Sequence, residues 1–420
     1  MNIEYNFSII LLAWLIICMD LFLFLRNKDN PLLLLINMFI LYFNYSICMG
    51  EYIAHNLVIE NNDLYSKAFG NLYQKGIILL FLFDLVRFMY MKKKISYGGI
   101  KRNPNNFVYY ILMICIIYIG IFQIDRSVSV SYEVKISTLY EYSYLFFILL
   151  LYYQDESKFK KILTHTIAFI FIMQDMIFGG RITSIQIILT FAIMEYANLL
   201  KIKYMVAPFF LFQLLFMAVG VYRAGYSFDS SISGLFDIAS GNLFVLDTSV
   251  YAYFSSIGHL NATSFVDLGL RFSSLVSFLV SLVLGGSMSN SFRIDSSLSA
   301  VTEIASDYHW NAGGGIIFSY FYFWLGYTGV VLLSIITFRI LIKISTSKSL
   351  ISGLISVCLT VAVARWYLYN PTAFYRGPFV IFPILFFVFN KIDSFFKGEE
   401  TVNADSDHVS EELISNCKEN

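Results

Sequence analysis

Apolar residues run through most of this chain in long, unbroken stretches separated by short polar connectors. A helix needs about 20 mainly apolar residues to cross the hydrocarbon of a bilayer. Only helices and closed barrels satisfy their backbone there. Runs that are continuous, with no apolar–polar alternation, predict helices. The pattern predicts eleven spans: 7–25, 31–49, 73–91, 107–123, 137–153, 162–178, 182–199, 205–221, 315–341, 350–366 and 377–391. The expected fold class is an all-α polytopic membrane protein with about 11 transmembrane helices.

Cationic side chains orient these spans. Arg26 and Lys28 follow span one, and Lys92, Lys93, Lys94, Lys101 and Arg102 follow span three. Lys158, Lys160 and Lys161 follow span five, Lys201 and Lys203 follow span seven, and Arg339, Lys343 and Lys348 close span nine. An outside N-terminus and an inside C-terminus put every set in the cytoplasm. Helices one to eight then occupy 1–221, a large outer loop 222–314, and helices nine to eleven 315–395. The acidic, polar tail over 396–420 is expected to be disordered and cytoplasmic. Within the loop, the stretch 268–286 is apolar, but its uninterrupted part, 272–284, is too short to cross. Ser274, Ser277 and Ser281 share one helical face, so an interfacial or re-entrant helix is expected.

Composition agrees. The chain of 420 residues is 58% hydrophobic and 14% charged, where soluble domains carry about a quarter charged residues. A formal net charge of zero gives no reason to expect nucleic acid as a partner. Cys18, Cys48, Cys115 and Cys358 fall in apolar runs and Cys417 in the tail, so no disulfide framework is expected. The first run lacks a preceding basic segment and a following A-x-A-like site, and reads as a retained span.

Charge type changes the picture more than charge sum. The inner side holds Arg26, Arg102 and Arg339 against fifteen lysines, while the outer side holds Arg126, Arg181, Arg223, Arg271, Arg293, Arg365 and Arg376 against Lys67, Lys75 and Lys135. Lysine suffices for topology. Arginine adds a planar fork that grips phosphate in two places. Singly, each arginine is readily explained by pairing with Asp229, Asp237, Asp267, Asp295 or Glu303. As a set they point to anion binding. Arg181 follows Gly179-Gly180, a helix break that lets backbone approach a ligand. Arg223 opens the long loop, Arg365 ends span ten, and Arg376 precedes the last span. These four are the candidate pyrophosphate ligands.

Asp84 and Arg87 share a face inside span three, with a structural ion pair as the favoured reading. Asp20, His165 and Glu195 lie near inner ends where water is within reach. Asp175, close before Arg181, is a candidate for orienting that arginine or binding a sugar hydroxyl. The segment 303–315, EIASDYHWNAGGG, is dense in polar and aromatic residues. Glu303, Asp307 and His309 are candidate general bases, His309 foremost. Tyr308 and Trp310 are candidate sugar platforms or interface anchors. No metal-ligand spacing, P-loop or GxSxG is present, so no metal or cofactor is expected.

Phe178-Gly179-Gly180-Arg181, Gly313-Gly314-Gly315 followed by Phe318-Ser319, the Gly-x-x-Gly of Leu325-Gly326-Tyr327-Thr328-Gly329, and the spacing of Arg223 to Gly234 carry a resemblance. With the large outer loop late in the chain, the sequence resembles the Wzy-type O-antigen and capsule repeat-unit polymerases of Gram-negative bacteria. Relatives often place an acidic residue ahead of the Gly-x-x-Gly, where this chain has Tyr320. The resemblance implies residence in the inner membrane, with the N-terminus and the large loop periplasmic. It implies transfer of a growing glycan from undecaprenyl pyrophosphate to a new lipid-linked repeat unit, with flippase and chain-length-regulator partners. An O-antigen ligase has the same donor and a lipid A-core acceptor. A lipid-linked oligosaccharide flippase should show two comparable halves and short loops, which this layout lacks.

Overall fold

The computed structural model describes residues 7–54, 71–95, 97–124, 137–178, 181–205, 247–291, 301–308 and 314–396. Every element among them is helical. The first half comprises α1 (Phe7–Arg26), α2 (Pro31–Ala54), α3 (Asn71–Met91), α4 (Asn106–Phe122), α5 (Thr138–Glu141), α6 (Ser143–Tyr153), α7 (Lys158–Ile177) and α8 (Ile182–Met194). The second comprises α9 (Asp247–Ala262), α10 (Leu268–Ser291), α11 (Val301–Ser306), α12 (Ile317–Thr346), α13 (Leu350–Val361), α14 (Val363–Leu368) and α15 (Thr372–Phe396). Beyond Met205, expected span eight lies outside the described residues, as does the tail from 397.

Among the described residues four helices are long and apolar enough to cross a membrane: α1, the Pro31–Met49 part of α2, α12 and α15. α4, α6, α8, α13 and the Leu268–Leu284 part of α10 are shorter apolar helices. α3 and α7 fall where spans were expected but carry charge: Lys75, Asp84 and Arg87 in one, Lys158, Lys160, Lys161 and Asp175 in the other. α6 is the innermost helix, with all eleven of its residues buried.

Polarity is distributed inside out. Trp14, Phe22, Ile114, Phe122, Phe169 and Phe395 are exposed, while Asp20, Asn37, Asn44, Asp84, Arg87 and His259 are fully buried. Water would not tolerate so broad an apolar exterior. This is a helical membrane protein.

α10 shows the same inversion, which speaks against the interfacial alternative expected for this stretch and leaves the re-entrant one. The helix is 24 residues long, well beyond the interfacial segment expected near 272–284. Ser274, Ser277 and Ser281 do share a face, but that face is buried. Ser274 Oγ accepts from Trp324 Nε1 at 3.1 Å, and Phe278 packs on Trp324 at 4.6 Å. Phe272, Val276, Leu279 and Val283 point outward. A helix lying on a membrane surface would turn its serines to water. Here the apolar side is the external one.

α12 is broken at Gly326, whose φ of 66° and ψ of −150° are not helical. A side chain is strained there, and a Cβ on Gly329 would meet Phe321 O at 2.3 Å. The break interrupts the hydrogen bonds that Tyr322 and Phe323 carbonyls would otherwise receive. Arg271 replaces them, its Nε donating to Phe323 O and its Nη2 to Tyr322 O. Among the described residues Arg271 forms no ion pair, and these two backbone carbonyls are its partners. Before the break, Ile317 through Trp324 are all buried; after it, Tyr327, Leu332 and Ile336 are exposed.

Asp20 corrects an expectation. It does not reach water; it is fully buried and ion-paired to Arg87 Nη2. Arg87 Nε lies 3.1 Å from Asp84 Oδ1. Asn44 Nδ2 bridges the carboxylates, donating to Asp20 Oδ2 at 2.8 Å and Asp84 Oδ2 at 2.6 Å. Tyr367 OH fixes that amide by donating to Asn44 Oδ1 at 2.6 Å. The cluster ties α1, α2, α3 and α14 together.

The lysine-bearing connectors meet at one end of the bundle. Lys94 pairs with Asp29 at 2.5 Å, and Lys160 pairs with Asp155 at 2.5 Å. Arg102 pairs with Glu195 at 2.8 Å. Asp393 near the end of α15 accepts from Asn103 and Asn105 at 2.8 and 2.6 Å.

Candidate functional site

α7 ends at Ile177 and α8 begins at Ile182, so the chain turns where the glycine pair predicted a break; Gly179 and Gly180 themselves lie outside the described residues. Arg181 occupies the position just before α8. Asp175 is buried, and its Oδ2 accepts from Ser184 N at 2.9 Å and Ser184 Oγ at 2.8 Å. It therefore satisfies a free N–H in the first turn of α8. This capping bond fixes the turn that carries Arg181, the residue Asp175 was expected to orient unless it binds a sugar hydroxyl.

Arg181 stands at one end of a groove of about 670 Å³ that follows α8. Phe39, Ile172, Ile185, Leu189 and Leu368 are among its walls. α8 has 13 residues, so the groove extends about 20 Å along it. Its lining is nearly all apolar, with Thr248 and Tyr369 near the Arg181 end and His165, Tyr196 and Tyr204 toward the other. His165 accepts or donates at Tyr196 OH, 3.0 Å away.

Arg365 and Arg376 gather beside the same region. Ala364, Leu368 and Tyr369 share the groove wall with Arg181, and Arg365 lies in that helix. Its Nη2 pairs with Glu141 Oε1 at 2.7 Å, so a carboxylate offsets its charge. Glu141 escaped the sequence reasoning, because an acid inside an apolar run gave no sign of facing α14. The Tyr142 phenol sits among the charges of Arg376, Arg365 and Glu141. Arg376 is half-buried and forms no ion pair among the described residues. Arg365 and Arg376 thus share the Tyr142 corner, and Arg181 lines the groove whose walls include Ala364, Leu368 and Tyr369 of the neighbouring helix and turn. Arg223 lies outside the described residues.

Comparison with family models, with curated proteins and with solved structures gives no match.

The candidate bases are divided. Glu303 and Asp307 are both exposed, on and just after α11. Tyr308 is exposed and stacks on Phe265, with ring centroids 5.5 Å apart. His309 and Trp310 lie outside the described residues.

The histidine that the structure does show here is His259, which the sequence reasoning passed over. It sits on α9 with Ser249, Ser255 and Ser256, all buried; this mixed polar stretch gave no apolar period to reveal a helix. Ser319 Oγ donates to Ile316 O at 2.8 Å and stands 2.8 Å from His259 Nδ1. The hydroxyl proton is thus committed, and Nδ1–H is the donor to Ser319. Nε2 lies 3.3 Å from Thr302 Oγ1, whose single proton is shared between this nitrogen and the Tyr320 hydroxyl 3.0 Å away. Burial pushes the imidazole pKa down to about 3, because a charged ring would lose its hydration. Gly315 allows the approach: a Cβ there would meet His259 Cε1 at 2.5 Å. This sealed, neutral ring holds α9, α11 and α12 together and is not placed to move a proton to a ligand.

Tyr320 joins that network to the groove. Its hydroxyl donates to Tyr369 O at 2.5 Å and lies 3.0 Å from Thr302 Oγ1. The α11 helix bearing Glu303 is thereby fixed next to the α14–α15 turn.

Proposed function

We propose that the chain polymerises undecaprenyl-pyrophosphate-linked oligosaccharide repeat units at the periplasmic face of the inner membrane. The reading includes eleven spans with an outside N-terminus and an inside C-terminus. The observation that carries it is Arg181 at the end of an apolar groove of about 670 Å³. An isoprenoid chain suits such walls, and a diphosphate suits a guanidinium at their end.

A hydroxyl of the incoming repeat unit attacks the anomeric carbon of the growing glycan. The bond from that carbon to the pyrophosphate oxygen breaks. Arg181 and Arg376 stabilise the charge gathering on the leaving diphosphate, with Arg365 held in reserve by Glu141. The acceptor proton goes to an exposed carboxylate, Glu303 or Asp307, or to His309. Deleting the gene and running surface polysaccharide on a gel tests this: core bearing a single repeat unit is expected. Arg181→Lys should shorten chains at least as seriously as loss of a bidentate contact implies, and normal chain length in that variant would remove Arg181 from the site. A ligase uses the same donor, and complete loss of capped core on the deletion gel would favour it.

A lipid-linked oligosaccharide flippase is the second reading. The buried Asp20–Arg87–Asp84 cluster favours it, since ionisable groups inside a bundle mark translocation paths in many carriers. It too predicts complete loss of capped core.

A further inference from the structure

Three loops from distant parts of the chain meet at the lysine-rich end around an open basin of about 920 Å³. The α1–α2 turn brings Lys28, the α3–α4 loop brings Gly99 and Arg102, and the segment after α8 brings Lys201 and Lys203. Their positions are fixed by tethers. Asn27 Nδ2 donates to Met91 O at 3.2 Å and Asn30 Nδ2 to Ile95 O at 3.3 Å. Arg102 Nη2 donates to Met194 O at 3.0 Å and Glu195 Oε1 at 2.8 Å. Gly99 has φ +72°, and a Cβ there would meet nothing within 4 Å, so its backbone lies open.

The carboxylates at the rim are already engaged. Asp29 holds Lys94, and Glu195 holds Arg102. Lys28, Lys201 and Lys203 form no ion pair among the described residues. Orientation in a membrane requires positive charge beside the spans, but it does not require three separate loops to converge on one hollow. Leu200 is a wall of this basin and also of the apolar groove. A cationic hollow that adjoins an apolar channel suits an amphiphile with an anionic head.

We propose that the basin binds the phosphate head of an anionic membrane lipid from the leaflet at the lysine-rich end, with the start of an acyl chain against Leu200, where basin and groove meet. The inference does not depend on glycan transfer and survives if that reading fails.

The full chain in detergent, loaded with phosphatidylglycerol or with phosphatidylcholine of the same acyl chains, is examined by native mass spectrometry. Phosphatidylglycerol should be retained preferentially, and Lys28→Ala/Lys201→Ala/Lys203→Ala should lower its retention about tenfold. Lys92→Ala/Lys93→Ala, at the same end but outside the basin, should leave retention unchanged. Equal retention of the two lipids, or an equal loss in the Lys92/Lys93 variant, overturns the proposal. So does displacement of the lipid by inorganic phosphate at low millimolar concentration, which would make the site one for soluble anions. A chain truncated after Phe396 addresses the remaining occupant, the acidic segment with Glu399, Glu400, Asp405 and Asp407. Unchanged retention supports the lipid, and a several-fold rise would assign the basin to that segment.

Discussion

His259 titrates near 6.5 when unfolded and near 3 in the folded chain. Above about pH 6.5 both states are neutral and stability is flat with respect to this group. Between the two values the unfolded chain binds the extra proton, so stability falls as pH falls. At about pH 5 the cost is about 2 kcal/mol. A denaturation midpoint in detergent, followed from about pH 7.5 to about pH 5, should fall, and His259→Gln should flatten the curve. Gly326 makes a second residue-scale case: Gly326→Ala should destabilise by about 1–3 kcal/mol, the range for forcing a side chain into a glycine-only conformation. An unchanged thermal midpoint would mean that the break relaxes instead. Neither effect was legible in the sequence. The Gly-x-x-Gly was visible as a pattern, but the left-handed step, and Arg271's service to the carbonyls it frees, depend on where α10 packs.

Helices that expose lipid-compatible residues and bury polar ones read poorly by the rules that suit soluble proteins. Long apolar runs such as α1 and α12 were evident from length alone. α9 was not, because its serines and His259 are its inward face. α10 is visible in the sequence as an apolar stretch, but its serine face carries no sign of whether water or protein covers it. In the same way Asp20 looked close enough to an inner end to find water, yet packing against α3 turned it onto Arg87. Removing one member of that buried set strands the others. Arg87→Ala should cost about 3–5 kcal/mol, as for other broken buried pairs. Asp20→Asn, which keeps the shape, should cost less. A double-mutant cycle on thermal unfolding measures the coupling, and additive effects would show that the two side chains do not sense each other.

At the scale of the molecule, lysines gather on connectors at one end together with Arg102, while Arg365 and Arg376 share the Tyr142 corner and Arg181 lines the apolar groove. The lysine-rich end was legible in the sequence, because lysines recur after every second expected span. The place of Arg181 on a groove shared with the α14–α15 turn was not legible, because it needed the packing of α8 against α6, α7 and α13. Topology has a direct test. A cysteine at Tyr308, which is exposed, should react with a membrane-impermeant maleimide in cells whose outer membrane alone is permeabilised. A cysteine at Lys158 should react only after lysis. Reversed labelling would invert the orientation and remove the diphosphate site from the periplasm.

The discontinuity at Gly326 bears on how the protein fits its bilayer. Thirty residues of uninterrupted helix would extend about 45 Å, well over a hydrocarbon thickness of about 30 Å. Such an excess demands steep tilt or local thickening. Because the portion up to Trp324 is wrapped in protein, only the remainder, about 30 Å long, must match the lipid. The mismatch is absorbed within the chain, since the enclosed start of α12 is covered by protein and only the portion after the break has to match lipid.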